Sequence, residues 1–209
     1  AQGLFVPLDW SRQLETLWRE RIGPERPMHV VCQGGVAPIA ALLASRQCDL
    51  WDGPKAVRSV ILTSPPPWDE ISGGISDSTS VERNFEFFSS PLGTLSYRLL
   101  RTTGFVRFFS DLFLFDANCD DEWLRRCVGG ATLAARWPVF AFNSGLVGAT
   151  GRDAELRSLA GPLLVLSGEG DRRAEGRAGY GHHVTNCELR TLPASLNVLP
   201  WEVPEACAE

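Results

Sequence analysis

The stretch that most constrains this fold covers residues 28–44 and reads MHVVCQGGVAPIAALLA. A short apolar run rich in β-branched residues leads into two glycines and then into a segment of alanine and leucine. That order predicts a buried parallel strand, a sharp turn and a crossover helix. A second apolar run, VRSVILT at residues 57–63, follows the helix. The sequence therefore predicts a βαβ unit in a parallel sheet, with a right-handed crossover.

Composition limits the classes of protein that this chain can be. With 209 residues, 44% of them hydrophobic, the chain is long enough to bury a sizeable core and is predicted to be globular. A formal net charge of -5 without a basic stripe argues against nucleic acid as a partner. No apolar run approaches the roughly 20 residues that cross a bilayer, so no transmembrane segment is predicted.

Cysteine and histidine do not indicate a metal site or a cofactor. The cysteines are scattered without a C-x-x-C pair, which predicts small buried thiols; they are Cys32, Cys48, Cys119, Cys127, Cys187 and Cys207. His182 and His183 are adjacent in the chain, so in a strand they would point to opposite sides. We expect no bound metal and no cofactor.

Two further segments have patterns of their own. Residues 9–21 predict an amphipathic helix, with Asp9 as its N-cap and one apolar face made by Trp10, Leu14, Leu17 and Trp18. Residues 172–181 are polar and rich in glycine, which predicts a mobile loop.

The middle of the chain differs from both ends. Residues 68–150 contain a glycine- and serine-rich loop and then amphipathic segments at 81–88, 95–115 and 120–133, without strand signals. This region contains ten of the eleven phenylalanines, and only Phe5 lies outside it. Aromatic residues at helical spacing usually pack between helices, and the alternative is the lining of a pocket for an apolar ligand. We predict a helical cap at 68–150, inserted between core segments 1–67 and 151–209.

Two segments near the C-terminus complete the pattern. Residues 162–171, PLLVLSGEGD, predict a strand with Asp171 just beyond its carboxyl end. Residues 187–204 read CELRTLPASLNVLPWEVP and place Asn197 five positions before Glu202. Taken by itself, Asp171 is also explained as a turn residue whose side chain binds its own backbone.

These motifs together resemble the α/β-hydrolase superfamily, whose nucleophile lies in a G-x-S-x-G elbow between strand and helix. The resemblance puts Gly34 at the nucleophile position, Asp171 at the acid and Asn197 where the catalytic histidine belongs. Glycine cannot attack a carbonyl, and asparagine cannot act as a general base. The resemblance implies an α/β-hydrolase-like parallel sheet with an inserted helical cap, no catalytic residues, and no counterpart in this sequence of the strands that precede the elbow.

The Q-G-G elbow and the N-V-L-P-W-E ending are similar to a degenerate plant, algal and cyanobacterial branch of that superfamily. By this resemblance we expect a pseudoenzyme in the chloroplast, soluble or peripherally associated with a membrane such as the thylakoid. Its function would then be that of a protein-binding or auxiliary subunit of a larger assembly.

Two alternatives remain open. The pocket between cap and sheet could bind a small apolar ligand. Alternatively, Cys32 could be the nucleophile of a hydrolase or thioesterase, with His182 or His183 as base and Asp171 as the residue that orients it. The simpler interpretation of Cys32 is a packed, inert thiol at the end of the buried strand.

Overall fold

The computed structural model describes residues 6–23, 25–46, 57–75 and 77–209. Within these ranges the strands are β1 (Met28–Gln33), β2 (Val57–Thr63), β3 (Leu163–Gly168) and β4 (Cys187–Leu192). The α-helices are α1 (Pro7–Leu17), α2 (Ala37–Ser45), α3 (Trp68–Gly73), α4 (Ser78–Ser89), α5 (Pro91–Leu100), α6 (Thr103–Phe113), α7 (Asp121–Gly130), α8 (Arg136–Asn143), α9 (Asp153–Arg157), α10 (Ala178–His183), α11 (Leu199–Glu202) and α12 (Pro204–Ala208).

The strands form one parallel sheet in the order β1-β2-β3-β4. The parallel pairing is the one that the apolar runs predict. Successive residues of a strand point to opposite faces, and β3 shows this clearly. Val165 packs into a core with α2, α3, α9 and α10, whereas Leu166 packs against α11 and α12. The predicted α/β class, a parallel sheet covered by helices, is confirmed.

Between β2 and β3 the described residues form helices and no strand. The predicted segment 95–115 is divided into α5 and α6, because Thr102 interrupts it as an N-cap whose hydroxyl accepts the backbone N–H of Phe105 at 3.4 Å. Of the phenylalanines in this region, Phe115 and Phe140 are buried. Five others are exposed: Phe87, Phe108, Phe109, Phe113 and Phe142.

The first helix differs from its prediction. It begins at Pro7, so Asp9 is not the N-cap, although the Asp9 carboxylate accepts the backbone N–H of Val6 at 2.9 Å. Leu14 and Leu17 are exposed, and the buried side of the helix carries polar groups. Its core-facing residues are Pro7, Ser11 and Glu15, and the buried Trp18 begins the π-helical segment Trp18–Ile22 that follows. Glu15 is buried because Arg46 neutralises its charge.

The prediction of a mobile loop at residues 172–181 is wrong. This segment contains a 3-10 turn at Glu175–Arg177 and then α10. Its glycines allow close packing: a Cβ on Gly176 would lie 2.8 Å from Pro67, and one on Gly179 would lie 2.4 Å from Trp68. The glycine content that predicted mobility is instead explained by close packing against the start of α3.

Candidate functional site

The elbow follows β1 directly. Gly34 has a φ of +63°, a left-handed conformation that strains any residue with a Cβ, and Gly34–Val36 form a 3-10 turn before α2. Among the described residues other than Gly34 and its two chain neighbours, no heavy atom lies within 4 Å of where a Cβ on Gly34 would be. The position is therefore open in space, and it carries no group that could attack a substrate.

Gln33, the residue before Gly34, connects the elbow to the C-terminal motif. Its side-chain Nε2 donates a hydrogen bond to the backbone carbonyl of Asn197 at 2.7 Å, and its Oε1 accepts one from the hydroxyl of Thr63. The side-chain Oδ1 of Asn197 lies 3.5 Å from the same Nε2. The two motifs that carried the family resemblance thus contact each other. The contact is a hydrogen bond between neutral amide groups, which cannot act as acid or base at neutral pH.

Glu202 fixes the loop that carries Asn197. Its carboxylate accepts backbone N–H groups from Leu196, Asn197 and Val198 at 3.1 Å each, and from Asp116 at 2.7 Å. A charged acceptor with several N–H donors forms stronger hydrogen bonds than neutral pairs do. The acidic residue of the C-terminal motif therefore has a structural task, which joins the loop to the segment after α6.

Aromatic packing strengthens this connection between the C-terminus and the cap region. The indole N–H of Trp201 donates to Asp120 at 3.0 Å, and its ring meets that of Trp123 edge-on with centroids 5.4 Å apart. Val198 lies in the same apolar cluster as Phe115. The residues around Asn197 are therefore embedded in protein contacts on the cap side.

Asp171 is buried, and both of its carboxylate oxygens accept hydrogen bonds. Its Oδ2 accepts a hydrogen bond from Arg177 at 2.6 Å, and its Oδ1 accepts the backbone N–H of Arg173 at 2.9 Å. Arg177 also donates to the Pro65 carbonyl at 2.6 Å and to the Ser167 hydroxyl at 3.1 Å. The carboxylate thus compensates a buried cation and closes a turn, as in the structural interpretation of this residue.

The cap region covers the residue after Gly34. A Cβ on Gly35 would lie 2.5 Å from the ring of Phe142, which belongs to α8. In hydrolases the backbone N–H at this position is an oxyanion donor. An aromatic ring directly over Gly35 reduces the space for a substrate at this end of the elbow.

Ser64 is an outlier that the sequence did not indicate. It has a φ of +45°, is buried, and its hydroxyl has no hydrogen-bond partner among the described residues. Since Gln33 is paired with Thr63, the next residue, Ser64, lies beside Gly34 at the carboxyl edge of the sheet. Backbone strain of this kind often marks functional sites. The charged group that contacts the next residue is Arg177, which donates to the Pro65 carbonyl and is paired with Asp171, so it supplies no base.

Cys32, the alternative nucleophile, does not form a triad with a histidine and Asp171 among the described residues. Burial raises the pKa of the Cys32 thiol to about 11, so it is neutral near pH 7. His183 stacks on Trp68 with centroids 4.8 Å apart, and its Nδ1 lies 3.1 Å from an Arg157 nitrogen. No hydrogen bond joins Cys32, His182, His183 and Asp171 to one another within the described part of the chain.

Other candidate sites are limited. A groove of about 390 Å³ runs between α1, the edge of β1 and α2, and its lining includes Trp10, Leu14, Val31 and Val36. It therefore lies outside the interface between the sheet and α3–α8. In the described ranges, no three acidic, histidine or cysteine side chains are grouped to hold a metal ion. No helix there is both long enough and apolar enough to cross a membrane.

Solved structures resemble this chain in fold. A serine hydrolase involved in carbazole degradation has a TM-score of 0.70 and 12% identity, over 100% of this chain and 70% of its own. A thermophilic esterase from Thermogutta terrifontis has a TM-score of 0.68 and 15% identity, and the match covers 98% of this chain and 70% of the esterase. A serine hydrolase from Cycloclasticus zankles has a TM-score of 0.64 and 13% identity, and the match covers 96% of this chain and 67% of the hydrolase. No family model and no curated protein matches the sequence. The chain has an α/β-hydrolase-like fold.

Replacing Asp171 with alanine tests whether its carboxylate is structural. The change leaves the buried Arg177 cation unpaired, so we expect the free energy of unfolding in urea to fall by about 3–5 kcal/mol. The double variant Asp171→Leu with Arg177→Met should recover much of that loss. As a control, Glu70→Ala removes the exposed partner of Arg173 and should cost less than about 1 kcal/mol. A loss for Asp171→Ala no larger than the control's would contradict the assignment.

Replacing Glu202 with glutamine tests whether its carboxylate fixes the loop that carries Asn197. The neutral amide keeps one acceptor oxygen for four N–H donors, so stability should fall by about 2–3 kcal/mol. Hydrogen exchange at the amides of Asp116 and Leu196, which donate to Glu202, should become faster. The exposed Glu205→Gln is the matched control and should change stability by less than about 0.5 kcal/mol. Unchanged exchange at those amides would show that Glu202 does not fix the loop.

Proposed function

We propose that this protein is a noncatalytic member of the α/β-hydrolase-fold proteins, a pseudoenzyme that acts by binding a partner protein as an auxiliary subunit of an assembly. Gly34 and Asn197 supply neither a nucleophile nor a general base. Asp171 is bound to Arg177, and Gln33 is bound to Asn197 and Thr63. The residues that hydrolysis would need are absent or occupied by structural contacts, which supports this proposal.

The observation that carries the proposal is the apolar surface of α5 and α6. Six large side chains on these two consecutive helices are each 52–63% exposed: Leu92, Leu95, Leu99, Phe108, Leu112 and Phe113. We call these six residues the α5–α6 face. Single exposed apolar residues are ordinary, but six on two joined helices support an interaction surface, because burying them against a partner removes apolar area from water.

A protein partner is favoured over a small ligand held between cap and sheet. The ring of Phe142 fills the space over Gly35, and the 390 Å³ groove lies on the side of α1. The exposed apolar side chains lie instead on the outer side of α5 and α6. By the sequence resemblance, the proposed assembly is in a plastid and the protein is soluble there or peripheral to a membrane.

The absence of catalysis can be tested with p-nitrophenyl acetate. We expect the purified protein to show no hydrolysis above the uncatalysed rate, since loss of a triad lowers turnover on the order of 10⁶-fold. The Gly34→Ser variant should be equally inactive, because the space for the hydroxyl is open but no base is present. If the purified protein hydrolyses the ester and Cys32→Ala abolishes that activity, the proposal is wrong and an enzyme with Cys32 as its nucleophile is favoured.

The binding function can be tested by size exclusion of a native extract with mass spectrometry. The unmodified protein should elute within a larger assembly, and Leu95→Ser with Phe108→Ser should shift it to the elution volume of a monomer. Leu17→Ser with Ile22→Ser is the control and should not shift it, because it changes two exposed apolar residues elsewhere in the sequence, in and just after α1. Elution of the unmodified protein as a free monomer would overturn the proposal.

A further inference from the structure

The two edges of the described sheet differ in the side chains that they carry. β4 forms one edge and contains Glu188 and Arg190, two exposed residues whose side chains form a salt bridge at 2.6 Å. Charged side chains on an edge strand discourage pairing with another chain. β1 forms the opposite edge, and its sequence MHVVCQ contains no aspartate, glutamate, lysine or arginine. The β4 edge is therefore adapted to face water, whereas the β1 edge lacks that protection.

One side of the β1 backbone is unpaired among the described residues. The Cys32 carbonyl lies on the β2 side, because it accepts a hydrogen bond from the Thr63 hydroxyl at 3.4 Å. Alternate residues of a strand direct their N–H and C=O groups to opposite edges, so Val31 directs both groups to the free edge. No described residue forms a backbone hydrogen bond with them there. Besides water, the partner that satisfies such a row of groups is another extended backbone, which defines what this edge can bind.

The groove of about 390 Å³ lies along the same edge. Its lining includes every residue from Val30 to Gln33, and successive side chains of a strand point to opposite faces. The groove therefore follows the edge of the strand and not one face of the sheet. Trp10 and Leu14 of α1 also line it, and no lining residue carries a formal charge. A strand in this groove places every second side chain on the α1 side, where apolar side chains fit and charged ones would lose hydration.

We propose that the free edge of β1 binds an extended segment of a partner protein as an additional β-strand, with uncharged apolar side chains at the alternate positions that face α1. In this mode of recognition, main-chain hydrogen bonds supply affinity and the contacts of alternate side chains supply specificity. The β1 edge is a second interaction surface, and it does not depend on the α5–α6 face.

A second copy of this chain fits the edge less well. Two copies related by a two-fold axis would pair β1 with β1, as an isologous contact requires. In each copy α1 lines the groove beside the free edge, so a second β1 approaches only together with its own α1. An extended segment without a flanking helix avoids that conflict, and this favours a partner segment as the occupant.

Three peptides of the same sequence test the inference against the full chain. Each is as long as β1, alternates valine with threonine and carries a fluorophore at its N-terminus. One peptide is unmodified, and each of the other two is N-methylated at alternate residues, so that it lacks the N–H donors of one edge and keeps every side chain. Fluorescence anisotropy measures the dissociation constants, and amide hydrogen exchange locates the binding.

We expect the unmodified peptide and one N-methylated peptide to bind, and the other N-methylated peptide to bind at least about tenfold more weakly, because it lacks the donors that face β1. Exchange at the Val31 amide should slow on binding, whereas exchange at the β4 amides should not change. Failure of the unmodified peptide to bind, equal binding of all three peptides, or protection of β4 in place of Val31 would overturn the proposal.

Two exposed leucines of α1 provide a matched pair of protein variants. Leu14 lines the groove and Leu17 does not, although both are exposed. Leu14→Lys places a charge in the groove and should weaken binding of the unmodified peptide about tenfold. Leu17→Lys makes the same change outside the groove and should not alter binding. Equal effects of the two variants would contradict the proposed site.

The same experiments separate a second copy from a partner segment. If the protein forms a dimer in light scattering, with the Val31 amide protected and no peptide bound, the proposal is overturned in favour of self-association. They also separate this inference from the proposed function. Leu95→Ser with Phe108→Ser should leave peptide binding unchanged, because α5 and α6 contribute no residue to the groove. Loss of peptide binding in that variant would place the peptide on the α5–α6 face, which would overturn the inference and leave the proposed function standing.

Discussion

The Glu202 carboxylate is the group on which the arrangement around the elbow depends. It accepts N–H groups from the three residues of the Asn197 loop and from Asp116 after α6. The loop then presents the backbone of Asn197 to Gln33, so the end of β1, the C-terminal motif and the cap region are connected. One charged side chain thereby holds together three segments that are far apart in the chain.

The chemistry of the site follows from what its side chains already bind. In an active hydrolase the acid orients a base, and the base activates a nucleophile. In this protein Asp171 neutralises Arg177, and Gln33 holds a loop. Because both side chains already take part in structural hydrogen bonds, replacing Gly34 with serine would add a hydroxyl without adding a base.

The apolar surface is distributed unequally. Around the sheet, small residues of α2 let the helix pack closely, and Ala37 and Ala41 are fully buried. In the cap region, several leucines and phenylalanines of α5 and α6 face outward beside arginines without a salt bridge among the described residues. Since burying such side chains is favourable, an outward apolar face is retained only at some cost in solubility, which supports a function in binding.

The sequence alone determined the parallel sheet, the limits of β2 at Val57–Thr63, and the glycine elbow, because these depend on local runs and on backbone freedom at Gly34. Only the tertiary structure decided that Asp171 pairs with Arg177, that Phe142 covers Gly35, and which aromatic residues of the cap region are exposed. Periodicity shows which residues share a face of a helix. It does not show which element covers that face, since this depends on contacts between residues far apart in the chain.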